Sequence, residues 1–203
     1  MIAAAGLLYA YLLGSIPAAY IAGKTIKGID LRQVGSGNLG ATNVYRTLGW
    51  KIAAVVLLFD AAKGAIPVLF FPDLLNAPQP EQWAIAYGLA AIIGHVRPVF
   101  LLWKGGGKGV ATAAGVFLAL APVPMGIAVA VWLVVLLVSG YVSLASLVAA
   151  ALLAVLLLVI KGVTSPIAIV GVVLAAFVFF THRANIGRLR RGEEHRFGRK
   201  AVT

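Results

Sequence analysis

Residues 142–160 read VSLASLVAAALLAVLLLVI, a run of nineteen residues without one charged side chain. An α-helix rises about 1.5 Å per residue, so this run is long enough to cross the hydrocarbon core of a bilayer, which is roughly 30 Å thick. Further apolar segments lie near residues 2–22, 52–71, 82–102, 110–121, 124–138 and 166–181. The sequence therefore predicts an all-α, polytopic membrane protein that forms a single domain over residues 1–203.

The composition agrees with a membrane location and excludes several kinds of site. Hydrophobic residues make up 62% of the chain and charged residues 11%, against about 25% charged in a typical soluble domain. The net charge of +11 is expected to set topology and attract anionic lipid, and no nucleic-acid partner is predicted. The chain has no cysteine, three histidines and six acidic residues. We therefore expect no thiol nucleophile, no metal and no cofactor.

The basic residues predict how the helices are oriented, because Lys and Arg gather in cytoplasmic loops. They cluster in residues 23–51, in residues 103–109 and after residue 181, whereas the loop at 72–81 has none. If all three clusters are cytoplasmic, the chain crosses the membrane an even number of times between them. The apolar stretch at residues 110–138 satisfies this condition if it is divided into two helices at Pro122 to Pro124. We therefore expect seven transmembrane helices, with the N-terminus outside and the C-terminus cytoplasmic, the fourth and fifth being shorter than the roughly 20 residues of a full span.

The stretch VGSGNLGATNVYRTLG at residues 34–49 contains the G-x-G-x-x-G spacing of a dinucleotide-binding loop. Such a loop requires a soluble βαβ unit and an acidic residue about 20 positions further on. Asp60 lies at that distance, but it falls within the second apolar segment. An i,i+3 ion pair with Lys63 is the simpler explanation of both residues. A dinucleotide site is therefore not predicted.

The polar residues of this stretch indicate an anion-binding loop instead. Ser36, Asn38, Asn43 and Arg46 alternate with glycines that can adopt positive φ and direct backbone N–H groups toward an anion. A guanidinium nearby adds bidentate contact with a phosphate. The alternative is a glycine-rich turn at the membrane surface before the second helix.

A second glycine-rich stretch, WKGGGKGVATAAG at residues 103–115, strengthens the anion interpretation. Its three consecutive glycines lie between Lys104 and Lys108 and allow backbone to approach a ligand closely. It is not a Walker A motif, because Lys108 is followed by Gly109 where that motif needs Ser or Thr.

A third stretch, THRANIGRLRRGEEHRFGRK at residues 181–200, follows the last apolar segment. A basic tail in this position is ordinary positive-inside sequence, and that interpretation is sufficient for Arg190, Arg191, Arg196, Arg199 and Lys200. Four other residues are expected to lie at the membrane boundary on one helical stretch, namely His182, Arg183, Asn185 and Arg188. His182 and Asn185, at i and i+3, should share one helical face.

These three stretches, in this order among seven apolar segments, resemble the motifs of the bacterial acylphosphate-dependent glycerol-3-phosphate acyltransferases, the PlsY family. GSGNLGATNVYR at 35–46 is similar to the first motif, KGGGKGVATAAG at 104–115 to the second and HRANIGRLRRGEE at 182–194 to the third. The resemblance covers essentially the whole chain. It implies a multi-pass protein of the bacterial plasma (inner) membrane, with seven membrane helices and the active site at the cytoplasmic face.

One departure from the family pattern affects the assignment of the lysines. The second motif of the family reads Lys-Gly-Gly-Lys-Gly, whereas this chain has an extra glycine between Lys104 and Lys108. Spacing from His95 favours Lys104 as the phosphate-contacting lysine. Spacing from Thr112 favours Lys108.

The resemblance implies that the 1-hydroxyl of glycerol 3-phosphate attacks a fatty acyl phosphate, giving lysophosphatidic acid and phosphate in the first step of phospholipid synthesis. The residues implied for glycerol 3-phosphate are Ser36, Arg46, Lys104, His182 and Asn185. Those implied for acyl phosphate are Asn38, Gly105, Gly106, Gly107, Lys108 and Thr112. Asn43 and Arg188 are expected to support these contacts, and Glu193 to pair with a neighbouring arginine. The expected partners are the two substrates, membrane lipid and an enzyme that synthesises acyl phosphate.

The sequence also bears on the catalytic chemistry. No acidic residue lies beside a histidine in a pattern that suggests a dyad, and an acyl phosphate is already activated. We therefore expect positioning and charge neutralisation to dominate, with a substrate phosphate as the proton acceptor and no protein general base. Tyr141 and Ser143 either border the site or anchor a helix at the interface. The alternatives are a lipid-binding scaffold and a membrane phosphate or anion transporter, which normally has polar groups near the midplane and on both sides.

Overall fold

The computed structural model describes residues 2–198, and all regular secondary structure in that range is helical. This confirms the all-α prediction. The chain forms two compact units, the first ending at Leu120 and the second beginning at Ala121. The single domain over residues 1–203 stays a prediction.

The first unit contains six α-helices and a short 3₁₀ turn at Val99–Leu101 within its described residues. The helices are α1 Ile2–Ser15, α2 Ala18–Lys27, α3 Ala41–Leu48, α4 Trp50–Leu74, α5 Pro80–Val96 and α6 Val110–Leu120. The break between α1 and α2 lies at Ile16 and Pro17. A residue before proline is disfavoured in the α conformation, which explains why α1 ends there.

The helices of the first unit approach one another closely at glycines. Gly14 of α1 and Gly94 of α5 each oppose the backbone of the other helix, and Gly64 of α4 and Gly115 of α6 do the same. A Cβ atom at any of these four positions would overlap a carbonyl oxygen of the partner helix. Small residues that bring backbones together are typical of helix packing in membranes.

The second unit contains four described helices, which are α7 Pro122–Ser139, α8 Val142–Lys161, α9 Pro166–Thr181 and α10 Arg183–Arg190. A proline occupies the first turn of both α7 and α9, where its missing N–H costs no helical hydrogen bond. Because α6 ends at Leu120 and α7 begins at Pro122, residues 110–138 form two helices and not one kinked helix. The tail returns to the α7–α8 turn, where Phe197 N donates to Gly140 O at 2.6 Å.

Each predicted apolar segment is largely helical, and five helical segments of the described chain are long and apolar enough to cross a membrane. They are Ile2–Lys27, Trp50–Leu74, Pro80–Leu101, Pro122–Ser139 and Val142–Lys161. The pair formed by α9 and α10, bent by 59°, would be a sixth, and α6 has only 11 residues. Seven transmembrane helices and the orientation of the termini stay predictions.

Candidate active site

The first-motif loop, residues 28–40, joins α2 to α3. Leu31 and Leu39 of the loop are buried with Val44 of α3 in one apolar cluster against α4. These buried side chains fix the loop against α4, whereas Ser36 is exposed. Gly35 and Gly37, on either side of Ser36, have φ of +65° and +69°, a region that glycine enters at little cost.

Asn43 binds the backbone of this loop on both sides of Ser36. Its Nδ2 donates to Leu31 O at 3.1 Å and to Val34 O at 3.0 Å, and its Oδ1 accepts from Ser36 N at 3.0 Å. The side chain is buried, so these three hydrogen bonds are sheltered from water. Asn43 therefore fixes the position of the Ser36 backbone.

The other polar residues of the first motif surround the loop. Arg46 is exposed on α3, one residue before Thr47, and Asn38 is half-buried beside Gly40. Ser36 and Arg46 thus offer a hydroxyl and a guanidinium at the surface of the first unit, and both can donate to an anion.

The second-motif loop, residues 104–109, lies between the 3₁₀ turn and α6 and rests on the end of α5. A Cβ at Gly106 would overlap Val96 O, and a Cβ at Gly107 would overlap the imidazole Nε2 of His95. Gly107 N donates to His95 O at 3.2 Å. Only glycine fits these two positions, which explains the glycine run.

Arg32 joins the two loops. Its guanidinium binds Asp30, with Nη2 at 2.6 Å from Oδ2, and its Nη1 donates to Lys104 O at 3.3 Å. Its aliphatic stem covers Gly105, which has φ of +78°. The hydrogen bond from Arg32 lowers the pKa of the Asp30 carboxyl, so this ion pair persists at neutral pH. In the sequence, Arg32 stands out only as one of the basic residues of the cluster at 23–51, which predicts the orientation of the helices.

The remaining residues of the second motif differ in exposure. Lys104 is exposed and Lys108 is half-buried, while Thr112 is fully buried at the contact between α6 and α4. The Thr112 hydroxyl is the one buried side-chain polar atom of residues 2–198 that lacks a hydrogen-bond partner. Thr112 therefore lies inside the helix contact and not on the exposed face of the loop.

The predicted ion pair on α4 is present, with Lys63 Nζ at 2.8 Å from Asp60 Oδ1. Asp60 also approaches His95 of α5, whose Nδ1 lies 3.5 Å from the same oxygen. No pattern in the sequence indicates this contact. The two residues are 35 positions apart, so only the packing of α4 against α5 brings them together.

The third motif surrounds a break in the helix of the second unit. α9 ends at Thr181 and α10 starts at Arg183, so His182 lies at the bend and the expected single helical stretch is interrupted. His182 Nδ1–H donates to Val178 O at 2.8 Å. His182 and Asn185 are both buried, whereas Arg183 is exposed and lies over the Phe180 ring.

Glu194 is the centre of a hydrogen-bond network in the second unit. It accepts from Asn185 Nδ2 at 2.6 Å, Arg188 Nε at 2.7 Å and Ser143 Oγ at 2.9 Å. Burial alone would raise the pKa of Glu194, but hydrogen bonds from Asn185, Arg188 and Ser143 outweigh burial and lower it. The buried carboxylate is thus ionised at neutral pH and fixes Asn185. Sequence reasoning missed Glu194, because its partners lie 6 to 51 residues away.

The tail makes two further side-chain contacts. Glu193 pairs with Arg191 at 2.7 Å, as predicted, but both side chains are exposed. Arg196 Nε donates to the Tyr141 hydroxyl at 3.1 Å, so this tail residue has a specific partner at the turn between α7 and α8. Arg199 and Lys200 lie outside the described residues.

The comparison with protein families decides the classification. The family model described as glycerol-3-phosphate acyltransferase matches residues 4–192. The chain belongs to the glycerol-3-phosphate acyltransferase family. Among the relatives of this acyltransferase family, the glycerol-3-phosphate acyltransferase of Geotalea daltonii is 49% identical over 192 residues, covering 94% of this chain and 95% of the relative. That of Aquifex aeolicus is 44% identical over 191 residues, covering 94% and 96%.

Two solved structures of family members superpose on this chain. Both are crystal structures of PlsY, described as an integral membrane glycerol 3-phosphate acyltransferase, one in its glycerol 3-phosphate form and one in its lysophosphatidic acid form. The first has a TM-score of 0.87 and 42% identity, covering 97% of this chain and 96% of its own. The second has a TM-score of 0.83 and 40% identity, with coverages of 97% and 95%. This acyltransferase family member is accordingly an integral membrane protein.

Proposed function

We propose that this protein transfers a fatty acyl group from acyl phosphate to the 1-hydroxyl of glycerol 3-phosphate. The products are lysophosphatidic acid and inorganic phosphate. The observation that carries the proposal is the junction of two glycine-rich loops by Arg32, which keeps Ser36 and Lys104 exposed on connected backbone. Two adjacent anion-binding loops suit a reaction in which both substrates carry phosphate.

In the proposed reaction, the 1-hydroxyl oxygen attacks the acyl carbonyl carbon. The bond between that carbon and the phosphate oxygen then breaks, and the hydroxyl proton passes to the departing phosphate. The anhydride supplies the activation, so the protein contributes orientation and neutralisation of charge. Ser36 binds substrate and is not acylated.

The contacts of glycerol 3-phosphate are assigned to Ser36, Arg46 and Lys104 in the first unit. His182 and Asn185 are assigned to the same substrate from the resemblance of the third motif. Asn43 and Arg188 act through other residues, because Asn43 holds the Ser36 backbone and Arg188 helps Glu194 to hold Asn185.

The acyl phosphate is assigned to the second-motif loop, with Asn38 and Lys108 as further contacts. Thr112, which is buried in the contact between α6 and α4, is not assigned to it. Gly107 N is engaged by His95 O, so the N–H groups of Gly105 and Gly106 are the proposed donors to the developing oxyanion. An apolar groove of about 370 Å³, lined by residues that include Ile21, Val55 and Phe59, suits the acyl chain.

The proposed setting is the bacterial plasma membrane. Seven spans, an external N-terminus and a cytoplasmic C-terminus would put all three motifs at the cytoplasmic face, where glycerol 3-phosphate is available. An enzyme that makes acyl phosphate is then the partner that supplies the donor, through the bilayer or by direct contact.

Purified protein, incubated with palmitoyl phosphate and glycerol 3-phosphate, tests the proposal through phosphate release and formation of lysophosphatidic acid. Palmitoyl-coenzyme A in place of palmitoyl phosphate tests the donor. Ser36→Ala and Arg46→Ala should abolish turnover in folded protein, whereas Lys51→Ala, which also removes an exposed basic side chain, should retain it. Acylated Ser36 or ping-pong kinetics would contradict the direct transfer, and phosphate uptake by proteoliposomes without turnover would favour a transporter.

A further inference from the structure

The first unit contains a buried group of ionisable side chains that the proposed reaction does not use. Asp60, Lys63 and His95 are 2%, 2% and 7% exposed. Charged groups within a membrane-spanning segment are costly unless they are paired, and they are usually retained for a function. Their contacts show what each of them does.

The contacts of Lys63 give it a structural role. Its Nζ lies 2.8 Å from Asp60 Oδ1 and donates to Ile16 O at 2.9 Å. Ile16 lies in the break between α1 and α2, where the regular helical hydrogen bonds are interrupted. Lys63 therefore balances the charge of Asp60 and stabilises the break.

Asp60 orients the imidazole of His95. Its Oδ1 lies 3.5 Å from His95 Nδ1, and an ionised carboxylate can only accept a hydrogen bond. A neutral His95 therefore carries its proton on Nδ1, and Nε2 points away from Asp60. A group bound to one ring nitrogen sets both the tautomer and the orientation of the ring.

The Nε2 edge of the His95 imidazole lies against the second-motif loop. Gly107 packs so closely on Nε2 that a Cβ would overlap it, and Gly107 N donates to His95 O. The cavity between Asp60, His95, Gly106 and Gly107 has a volume of about 10 Å³, room for about one water molecule. A change in the ring orientation therefore displaces the loop.

We infer that His95, oriented by Asp60, is a positioning residue that holds Gly106 and Gly107 in the conformation that binds a phosphate-bearing acyl donor. This inference rests on the proposed function, which assigns the second-motif loop to acyl phosphate. His95 does not itself touch the reacting atoms.

Two charge-neutral double variants test the inference as a matched pair. Asp60→Asn with Lys63→Met retains an acceptor for His95 Nδ1, whereas Asp60→Leu with Lys63→Met removes it. The Asn pair should keep the KM for palmitoyl phosphate within about threefold of the wild-type value, and the Leu pair should raise it about tenfold or more, with the KM for glycerol 3-phosphate unchanged. Equal KM values for palmitoyl phosphate in the two folded pairs would overturn the inference.

His95→Asn provides the decisive variant if the Leu pair does not fold. Its amide nitrogen can replace Nδ1 as the donor to Asp60, but its side chain is too short to support Gly107. The KM for palmitoyl phosphate should rise about tenfold while the protein remains folded. An unchanged KM would contradict the positioning role, and an equal rise in the KM of both substrates would indicate general structural damage instead.

The tautomer of His95 gives a readout that needs no substrate. The ¹⁵N NMR spectrum of the wild-type protein should show His95 protonated on Nδ1, assigned by the signal lost in His95→Asn. The Asn pair should keep this signal and the Leu pair should lose it, and Nε2 protonation in the wild type would overturn the inference. Phosphate release by the wild type is measured first, since its absence overturns the proposed function before any variant is compared.

Discussion

Glu194 Oε1 accepts a hydrogen bond from Asn185 Nδ2 at 2.6 Å across nine residues of chain. The same oxygen also accepts from Ser143 Oγ, and Oε2 binds Arg188. One buried carboxylate thus connects α8, α10 and the tail. The third motif is held together by a residue that lies outside its helices.

Glu194→Gln should destabilise the second unit, because the amide cannot accept from Arg188 and Asn185 as the carboxylate does. We expect a loss of about 1.5–3 kcal/mol in the free energy of unfolding, the range for a hydrogen bond to a charged group. Thermal unfolding in detergent measures the effect. Glu193→Gln is the control, since its exposed pair with Arg191 should contribute less than about 1 kcal/mol. Equal effects of the two substitutions would contradict the assignment of Glu194 as the central residue.

The stability of the protein should fall in acid through Glu194. Its pKa is lower in the folded protein than in the unfolded chain, so the folded state binds fewer protons and stability rises with pH in that window. The contribution is fully present above the ordinary carboxyl pKa of about 4.3 and is lost as pH falls through the folded value. The melting temperature, measured from pH 7 downward, should decrease less in Glu194→Gln than in the wild type. Parallel pH profiles would exclude Glu194 as the source.

Asn43→Asp should impair the first-motif loop more than Asn43→Ala does. The carboxylate presents only acceptors to Leu31 O and Val34 O, so two buried carbonyls face a negative charge. We expect a fall in kcat/KM of at least about tenfold for Asp, corresponding to a loss of one or two buried hydrogen bonds. Initial rates at varied glycerol 3-phosphate concentration measure it, and Asn76→Ala, on a turn remote from the motif, should leave the rates unchanged.

Alanine substitutions at glycines should form a graded series. Gly106→Ala overlaps the carbonyl oxygen of Val96 and should abolish turnover, whereas Gly105→Ala meets the flexible stem of Arg32 and should retain part of it. Gly105 also has φ of +78°, which costs an alanine about 1–2 kcal/mol. Gly126→Ala in α7, with no atom within 4 Å, is the control and should be neutral or slightly stabilising. An active Gly106→Ala protein would show that the loop does not need this close packing.

Features encoded by local spacing could be predicted from the sequence. The apolar runs predict the helices because a helix satisfies its own backbone groups in lipid, and the i,i+3 spacing of Asp60 and Lys63 predicts their ion pair. The break between α6 and α7 follows from Pro122, and the pairing of Glu193 with an arginine follows from their proximity in sequence.

Features that depend on packing between distant segments could not be predicted. The contact of Asp60 with His95 requires a particular rotation of α4 and α5, which the nearly uniform apolar faces of these helices do not specify. The adjacent residues Glu193 and Glu194 look equivalent in sequence, and only the return of the tail onto α8 buries the second. The role of Arg32 depends on the position of Lys104, 72 residues later.

Asp60 and Lys63 also affect how the protein enters the bilayer. Both charges lie near the middle of α4, one helical turn apart on the same 25-residue segment. Because the ion pair forms within a single helix, it exists as soon as that helix does, before α1 or α5 is in place. We therefore expect the helix to enter the lipid as an electrically neutral segment. In that case α4 carries its own counter-ion during biosynthesis, and no neighbouring helix has to supply one.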